Sequence, residues 1–212
     1  MKKLDIVYED KKIIVVNKPS KQLTIRTREN ENNTLYNEVS AYVKKQYPRN
    51  KIFIVHRLDR DTSGLIIFAK DEQTKYELQN HWDKVNREYY CIVEGIPKEK
   101  KATLKNYLQE SKTLEVYIAK TGKLAITEYE VLKSNKNYSL LKVKIKTGRK
   151  NQIRVQLANI NNPIVGDKKY KSKTNPIGRL CLHAYKINYT LKGKTYNFES
   201  KYPKEFTKII NI

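Results

Sequence analysis

A polar turn between two apolar segments carries the residues best suited to chemistry. Residues 56–65 read HRLDRDTSGL and lie between the apolar runs IFIV and LIIFA. The turn holds two carboxylates, Asp59 and Asp61, and two arginines, Arg57 and Arg60. A carboxylate in a loop between rigid strands can act as a nucleophile or a base. The same residues also suit a charged surface turn with local Asp–Arg pairs, so the turn alone leaves both interpretations open.

Signatures of metal, nucleotide and acyl-transfer sites are missing from the sequence. The three histidines and two cysteines show no C-x-x-C or H-E-x-x-H spacing, so no metal is expected. The segment Gly193-Lys194-Thr195 ends like a phosphate-binding loop, but Asn188 stands where the upstream glycine is needed. There is no G-x-G-x-x-G and no nucleophile elbow. The sequence therefore predicts no cofactor.

The composition indicates a folded, basic protein. The 212 residues include 44 Lys or Arg, 22 Asp or Glu and 39% hydrophobic residues, with a formal net charge of +22. Most of the basic excess lies in residues 131–194, where Asp167 is the only acidic residue. A lysine-rich solvated surface is one interpretation. A polyanion site is the other, because phosphate neutralisation supplies most sequence-independent affinity for nucleic acids.

The same composition predicts a cytoplasmic protein. No apolar run reaches the length of a membrane span, and the first residues, MKKLDIVYEDKK, lack the apolar segment of a signal peptide. The two cysteines, Cys91 and Cys181, give no disulfide framework, which favours a reducing compartment.

The pattern around the turn predicts an α+β fold on a large, mainly antiparallel sheet. Strands are predicted at 4–9, 12–17, 52–55, 65–69 and 89–95, in several pieces between 102 and 147, and in a hairpin turning at Gly193. Helices are predicted over 34–46 with Asn33 or Thr34 as N-cap, after Asp71 as far as Val85, and near Lys150. No linker or repeat interrupts these elements, so we expect one domain over residues 1–212.

HRLDRDTSGL resembles the H-R-L-D-x-x-T-S-G motif of the RluA-type pseudouridine synthases. Five further segments are similar to that family in the expected order: VVNKPS, REYYCIVEG, LAITEYEVL, TGRKNQIRVQLANINNPIVGDKKY and RLCLHA. His56 favours the RluA branch over the RsuA branch, which has glycine there. The resemblance implies a catalytic domain with a mixed sheet, a few flanking helices and an active-site cleft across the sheet. It implies an isomerase that converts uridine in RNA to pseudouridine without a cofactor.

The resemblance also implies roles for three residues. Asp59 matches the essential carboxylate, which must be ionised to act as a nucleophile or base. Arg154 matches the arginine that pairs with this carboxylate, favours its ionised form and fixes its orientation. Tyr89, rather than Tyr90, would stack on the target uracil, and its hydroxyl is a candidate for handling the C5 proton. Without the resemblance, Tyr89 would be assigned to the core and Arg154 to the basic surface.

Further residues are expected at the target nucleotide: Arg57, His56, Thr62, Ile153, Leu182 and Arg149. By resemblance, Arg57 helps to hold the base out of its stack, since chemistry on a base requires it to be flipped. Ile153 and Leu182 would line the base pocket or belong to the core. Asp61 would brace the turn, and Thr62 and Ser63 would satisfy its backbone groups.

Several positions depart from the family pattern. Asn151 and Gln156 replace the two histidines of H-Q-I-R-x-H, Lys21 replaces a common glycine, and Asn161 replaces the glycine before Asn162-Pro163. None of these changes removes a group expected to be catalytic, although the RNA contacts are expected to differ. The chain begins directly at the catalytic domain, so no N-terminal S4-type RNA-binding domain is expected.

Other functions fit less well. A non-catalytic RNA-binding protein with this fold would not need Asp59, Tyr89 and Arg154 together, because binding alone requires no carboxylate. A carboxylate-dependent glycosidase needs two cooperating acids, and a charge of +22 does not suit neutral sugars. A DNA-binding regulator would be expected to contain a helix-turn-helix, and the sequence pattern predicts none. Ribosomal and transfer RNA both fit as targets, with ribosomal RNA slightly preferred. A monomer is expected because the charge opposes self-association.

Overall fold

The strands account for much of the chain in a computed structural model that describes residues 4–26, 33–191 and 193–211. The strands in these ranges are β1 (Ile6–Glu9), β2 (Ile13–Lys18), β3 (Phe53–Ile54), β4 (Ser63–Ala69), β5 (Asn86–Glu94), β6 (Lys101–Glu110), β7 (Val116–Ala119), β8 (Lys123–Ser134), β9 (Tyr138–Ile145), β10 (Leu182–Leu191) and β11 (Lys194–Glu199). The α-helices are α1 (Leu35–Gln46), α2 (Glu72–Asn80) and α3 (Gln152–Asn159). Short 3-10 helices span Trp82–Lys84, Lys168–Tyr170 and Lys204–Lys208.

The chain divides into two compact units. The first comprises Met1–Val85 and Lys186–Ser200, and the second comprises Asn86–Tyr185 and Lys201–Ile212. Strand β10 contributes residues to both, because the boundary lies between Tyr185 and Lys186.

The central strands of the first unit are buried and rich in β-branched residues. β2 pairs antiparallel with β1 and β4, β3 pairs antiparallel with β4, and β11 pairs antiparallel with β10. Every residue of β4 is buried, and four of the six residues of β2 are buried apolar residues. Continuous burial of this kind explains why these strands appear in the sequence as apolar runs instead of alternating patterns. The register sets Lys18, at the end of β2, opposite Gly64 in the motif turn.

The helices of the first unit begin at the predicted caps. The Thr34 hydroxyl accepts a hydrogen bond from the N–H of Asn37 at the start of α1. The Asp71 carboxylate accepts one from the N–H of Thr74 at the start of α2. Such caps satisfy backbone donors that have no partner within the helix. They confirm the predicted starts of both helices.

The second unit is a sheet of antiparallel strands with α3 on one face. Its hydrogen-bonded order is β5-β9-β8-β6-β7. Side chains alternate along β8, where Ala125, Thr127 and Tyr129 are buried and the residues between them are more exposed. Val155 of α3 packs in one cluster with Ala125, so the buried side of β8 is the side that carries α3.

The fold class is confirmed, and three elements are shorter than predicted, the first being β1, which covers Ile6–Glu9 of the predicted 4–9. The sheet is large and mainly antiparallel with few helices, but α2 ends at Asn80 instead of reaching Val85. Trp82 begins a 3-10 turn because Asn80 and His81 favour the helical conformation weakly. β3 covers only Phe53–Ile54 of the predicted 52–55. The single domain over residues 1–212 stays a prediction.

No helix in the described part of the chain is long and apolar enough to cross a membrane. Within the same residues, no group of three or more His, Cys, Asp or Glu side chains could hold a metal ion. Cys91 and Cys181 are buried as free thiols, and burial raises the pKa of Cys181 to about 12.

Candidate active site

The backbone on both sides of Asp59 is fixed by hydrogen bonds. The buried Thr24 hydroxyl donates to the carbonyl of Leu58 (3.0 Å) and accepts from the N–H of Leu58 (3.3 Å). The carbonyl of Asp59 accepts from the N–H of Thr62 at 3.2 Å, which closes the turn. Asp59 itself is half-buried and has further interactions.

Two side chains from the end of β2 hold the next two carbonyls. The Lys18 ammonium donates to the carbonyl of Arg60 (2.9 Å), and the Ser20 hydroxyl donates to the carbonyl of Asp61 (2.6 Å). Four consecutive carbonyls, from Leu58 to Asp61, therefore have a donor. These four bonds fix the backbone that carries the Asp59 side chain.

Lys18 is the most unusual of these anchors. Its side chain is only 1% exposed, and its ammonium also donates to the carbonyls of Pro19 (3.0 Å) and Gln22 (2.8 Å). Three carbonyl acceptors match the three donors of an ammonium group, which compensates for its burial. The VVNKPS resemblance pointed to this segment, but sequence reasoning assigned Lys18 no contact.

Replacing Lys18 should loosen the turn. Lys18→Met leaves three carbonyls without this donor, so we expect a loss of about 2–4 kcal/mol in the free energy of unfolding. Urea unfolding followed by circular dichroism measures this loss. Lys11→Met, at an exposed position of the same unit, is the matched control and should change stability by less than about 0.5 kcal/mol. An equal effect of both substitutions would contradict the anchoring role.

His56 is fixed at the entry to the turn in one tautomer. Its Nε2 accepts a hydrogen bond from the N–H of Ile67 at 3.1 Å, and its ring stacks on Trp82 with centroids 4.4 Å apart. An imidazole nitrogen that accepts a hydrogen bond cannot carry a proton, so His56 is neutral with its proton on Nδ1. Arg57, the next residue, is exposed, and Thr62 is buried.

In the second unit, Tyr89 and Tyr90 point to opposite faces of the sheet. Tyr90 stacks between Tyr185 and Tyr202, with centroid distances of 3.7 and 4.1 Å. Tyr89 is aligned with Val143 and through it with Tyr129, so it lies on the face that carries α3. It is buried and has further interactions. Tyr89 therefore shares a face with the helix that contains Arg154, and Tyr90 does not.

The start of α3 is shaped by a left-handed residue. Asn151 is the N-cap with φ of 53°, a conformation that asparagine adopts more readily than most residues. The Gln152 amide oxygen accepts hydrogen bonds from the Thr147 hydroxyl (2.7 Å) and from the N–H of Arg149 (3.0 Å). The Arg149 side chain is exposed, and its Nε donates to the carbonyl of Leu124.

Arg154 forms a buried, two-point ion pair. Its Nε and Nη2 donate to the two carboxylate oxygens of Asp167, each at 2.7 Å. Its Nη1 donates to the amide oxygen of Asn151 at 3.1 Å. Arg154 also has interactions beyond these. The alternative interpretation of Arg154 as one more basic surface residue is excluded, because the side chain is buried. Its bidentate guanidinium is held in one orientation.

The two positions where the family has histidine form buried polar networks. The Asn151 amide nitrogen donates to the Tyr170 hydroxyl at 3.1 Å, which in turn donates to the carbonyl of Val116. The Gln156 amide oxygen accepts from the Thr127 hydroxyl at 2.7 Å. Its amide nitrogen donates to acceptors on β6 and β8: the carbonyls of Leu104 and Ala125 and the side chain of Asn106. Asn151, through Tyr170, and Gln156, directly, therefore connect α3 to the strands.

Ile153 and Leu182 are both buried, so burial alone fits a pocket wall as well as a core residue. His183, beside Leu182, is also buried, and burial together with the nearby Arg179 guanidinium lowers its pKa to about 4. The Glu205 carboxylate, which bonds to Arg179, and the backbone of Lys201 raise that pKa by less. His183 is therefore neutral near pH 7.

This burial predicts a loss of stability in acid. The unfolded chain binds a proton at His183 near the ordinary histidine pKa, whereas the folded chain binds it only near pH 4. The contribution of His183 is thus complete above the ordinary pKa and declines as the pH falls toward 4. Protonation of His183 in the unfolded chain should therefore lower the free energy of unfolding by about 2–3 kcal/mol between about pH 7.5 and about pH 4.5. In urea unfolding, the free energy of unfolding of His183→Gln should depend less on pH than that of wild type. The control His81→Gln, at an exposed position, should show the same pH dependence as wild type.

The predicted site residues thus fall into two groups. His56, Arg57, Asp59 and Thr62 lie in the first unit, and the rest lie in the second: Tyr89, Arg149, Ile153, Arg154 and Leu182. Sequence reasoning missed Lys18, Thr24 and Asp167. Lys18 and Asp167 stand in the segments that carry the resemblance, which was the available signal.

Comparison with known proteins identifies the family. The family model described as RNA pseudouridylate synthase matches residues 12–159. Ribosomal large subunit pseudouridine synthase D of Haemophilus influenzae is 31% identical over 98% of this chain and 70% of its own length. The protein of the same name from Borreliella burgdorferi is 35% identical over 95% of this chain and 66% of its own length. This chain therefore spans about two thirds of these relatives.

Solved structures show the same fold. Human RNA Pseudouridylate Synthase Domain Containing 4 superimposes with a TM-score of 0.81 at 21% identity, covering 96% of this chain and 90% of that one. Human RNA Pseudouridylate Synthase Domain Containing 1 gives a TM-score of 0.78 at 21% identity, over 95% and 84%. The family model and the two bacterial relatives confirm the resemblance found in HRLDRDTSGL and its companion segments, and the chain belongs to the RNA pseudouridylate synthase family.

Proposed function

We propose that this chain isomerises uridines of large-subunit ribosomal RNA to pseudouridine, with Asp59 as the essential carboxylate. The observation that carries the proposal is the turn around Asp59, in which four consecutive carbonyls are held by donors. A surface turn needs no such support. A catalytic carboxylate does, because small displacements of a reacting group lower the rate strongly.

The reaction breaks the N1–C1′ bond of uridine and forms a C5–C1′ bond. C5 then loses its proton and N1 gains one, so the isomerisation involves no oxidation and no net hydrolysis. Asp59 would attack C1′, attack the base or remove a proton from C2′. Each route needs an ionised carboxylate against the nucleotide.

Arg154 and Tyr89 complete the proposed catalytic set. A guanidinium beside a carboxylate that is shielded from water favours its ionised form and fixes its orientation, which is the role we propose for Arg154 toward Asp59. Tyr89 would stack on the uracil and its hydroxyl would handle the C5 proton. The position of Tyr89 on the α3 face supports its selection over Tyr90.

The remaining predicted residues would bind the nucleotide. The exposed Arg57 is long enough to occupy the position of a flipped base, and the exposed Arg149 would contact phosphate. The buried side chains of Ile153 and Leu182 would form the apolar walls of the base pocket. Thr62 and the fixed His56 would shape the turn against the ribose.

The relatives favour ribosomal RNA as the substrate. Both bacterial relatives described above are named for pseudouridine formation in the large ribosomal subunit. The net charge of +22 fits a partner with a phosphate backbone. Transfer RNA has no comparable support. We also propose that the protein acts as a monomer in the cytoplasm and without a metal.

In vitro modification of ribosomal RNA tests the activity directly. Purified protein is incubated with an unmodified large-subunit ribosomal RNA transcript and, separately, with pooled transfer RNA transcripts, and pseudouridine is mapped chemically in each. We expect pseudouridine at one or a few positions of the ribosomal transcript. Pseudouridine in the transfer RNA pool alone would show that the substrate is transfer RNA and not ribosomal RNA. RNA binding without pseudouridine in either pool would favour the non-catalytic alternative.

A further inference from the structure

The turn between β6 and β7 carries an exposed leucine in an unfavourable backbone conformation. Leu114 has a φ of 61° and is 63% exposed, more than any other large apolar side chain in the described part of the chain. Within those same residues, the other non-glycine residues with a left-handed backbone are lysine or asparagine. A branched apolar residue in this conformation costs stability, and a side chain so exposed recovers little of it through burial. Strain of this kind is frequently part of a functional site.

The hydrogen bonds of the turn suit glycine at this position better than leucine. The N–H of Leu114 donates to the carbonyl of Ser111 at 2.9 Å, and the N–H of Ser111 donates to the carbonyl of Glu115 at 2.8 Å. These bonds enclose a three-residue hairpin loop that ends in a left-handed residue, a place where glycine is preferred. Neither bond involves the leucine side chain, so the turn does not depend on it.

Lysine ammonium groups contact the backbone of the same leucine. The Lys150 Nζ donates to the carbonyl of Leu114 at 3.2 Å, and the Lys169 Nζ donates to it at 3.4 Å. Lys112 lies inside the turn, and all three lysines are exposed. The apolar side chain of Leu114 is therefore bordered by positive charge.

The charge around the turn favours an anionic partner. Lys150 pairs with Glu110, and Lys123 and Lys169 lie close enough to stabilise the charge of that carboxylate. Together with the lysine inside the turn, four lysines face the two carboxylates of Glu110 and Glu115, so two positive charges are in excess. An apolar side chain among lysines matches a nucleic acid, because the faces of its bases are apolar and its phosphates are anionic.

The turn is fixed beside the start of α3. The carbonyl of Val116, two residues after the leucine, accepts a hydrogen bond from the Tyr170 hydroxyl, which accepts one from the N-cap residue Asn151. Lys150 directly precedes that N-cap, and Arg154 lies one helical turn beyond it. RNA that reaches Arg154 on this unit is therefore close enough to touch the turn.

We propose that Leu114 is an RNA contact, whose side chain packs against an unpaired base while Lys112, Lys150 and Lys169 bind the neighbouring phosphates. The proposal rests on the function proposed above, since the RNA is taken to be the substrate. Apolar side chains insert between bases in this way in other nucleic-acid complexes, and RNA loops offer unstacked bases. The leucine would then be retained for binding, at the expense of the stability of its turn.

Binding and melting measurements on one variant test this trade. Leu114→Gly should bind the large-subunit ribosomal transcript about 10-fold more weakly in filter binding, because an apolar contact is lost. Its melting temperature should be equal to or above that of wild type, because glycine suits the left-handed position. A fall of more than about 3 °C would show that the leucine serves the fold, and would overturn the proposal.

Two further variants control for exposure and for shape. Ile96 is 60% exposed in the same unit, so Ile96→Ala removes a comparable apolar surface and should keep wild-type affinity. Leu114→Met retains an apolar side chain and should bind within about threefold of wild type. If Leu114→Gly does not fold, Leu114→Asn takes its place, because asparagine also tolerates a positive φ. Wild-type affinity of the variant that folds would overturn the proposal.

Salt dependence separates the apolar contact from the phosphate contacts. The affinity of each variant is measured over a series of salt concentrations. Leu114→Gly removes no charge, so the slope of log affinity against log salt should equal that of wild type. Lys112→Gln should lower the slope by about 1, because one phosphate contact is lost. An unchanged slope for Lys112→Gln would exclude the phosphate contact.

The two proposals fail in different ways. If wild type forms pseudouridine and Leu114→Gly binds the transcript as tightly as wild type, the contact is excluded and the proposed function stands. If wild type forms no pseudouridine but binds the transcript about 10-fold more tightly than Leu114→Gly, the proposed function is excluded and the RNA contact stands. If wild type binds no RNA, both are excluded.

Discussion

Asp59→Asn is expected to form pseudouridine at least about 10³-fold more slowly than wild type, with RNA affinity nearly unchanged. The amide has the size of the carboxylate but is neither a nucleophile nor a base, so every route proposed for Asp59 is closed. The turn should stay folded, because the carbonyls of Leu58, Arg60 and Asp61 keep the bonds that they accept from the side chains of Thr24, Lys18 and Ser20. Single-turnover modification of the ribosomal transcript measures the rate, and filter binding measures the affinity.

Asp61→Asn is the matched control for this result. Asp61 lies in the same turn and is also half-buried, and its carbonyl bond to Ser20 does not depend on its carboxylate. Its rate should stay within about 10-fold of wild type. In cells, a deletion strain carrying Asp59→Ala should lack the same pseudouridines as the deletion strain itself. An Asp59 variant with the wild-type rate would exclude Asp59 as the essential carboxylate and would return Asp61 to consideration.

Arg154→Met is expected to lower the free energy of unfolding by about 3–5 kcal/mol and to abolish activity. The loss of stability arises because the carboxylate of Asp167, which has no exposed area, would lose its partner and stay buried. Adding Asp167→Asn removes this charge, so the double variant should regain most of the stability. It should remain inactive, because the guanidinium is still missing. Urea unfolding and single-turnover kinetics measure the two quantities separately.

The exposed Arg49→Met controls for the loss of a positive charge and should change stability by less than about 0.5 kcal/mol. A double variant as unstable as Arg154→Met would show that the loss comes from packing rather than from an unpaired carboxylate. A double variant with wild-type activity would remove Arg154 from the catalytic set.

Elements whose signals are local could be predicted from the sequence. The Thr34 and Asp71 caps are contacts across three residues, and they placed the starts of α1 and α2 correctly. The end of α2 was misplaced, because Trp82 continues the apolar spacing of the helix although it packs from a 3-10 turn. Spacing records which side chains are buried but not which backbone geometry buries them.

The candidate site divides in the same way. The motif turn is contiguous, and its segment was recognised. Its anchors are not contiguous, since Lys18 reaches Arg60 across 42 residues and Thr24 reaches Leu58 across 34. No periodicity encodes such contacts. The resemblance implies that Arg154 pairs with Asp59, but it does not predict the bonds to Asp167, which lies 13 residues further along the chain and beyond the end of α3.

The stack of Trp82 on His56 provides an optical probe. The chain has a single tryptophan, so its emission comes from one place, the ring that lies against the first residue of the motif turn. A protonated imidazole quenches indole emission by contact, and His56 accepts protons only by giving up its bond to Ile67. The wavelength and intensity of the tryptophan fluorescence of the unlabelled protein therefore report on the state of this turn as RNA, denaturant or acid is added.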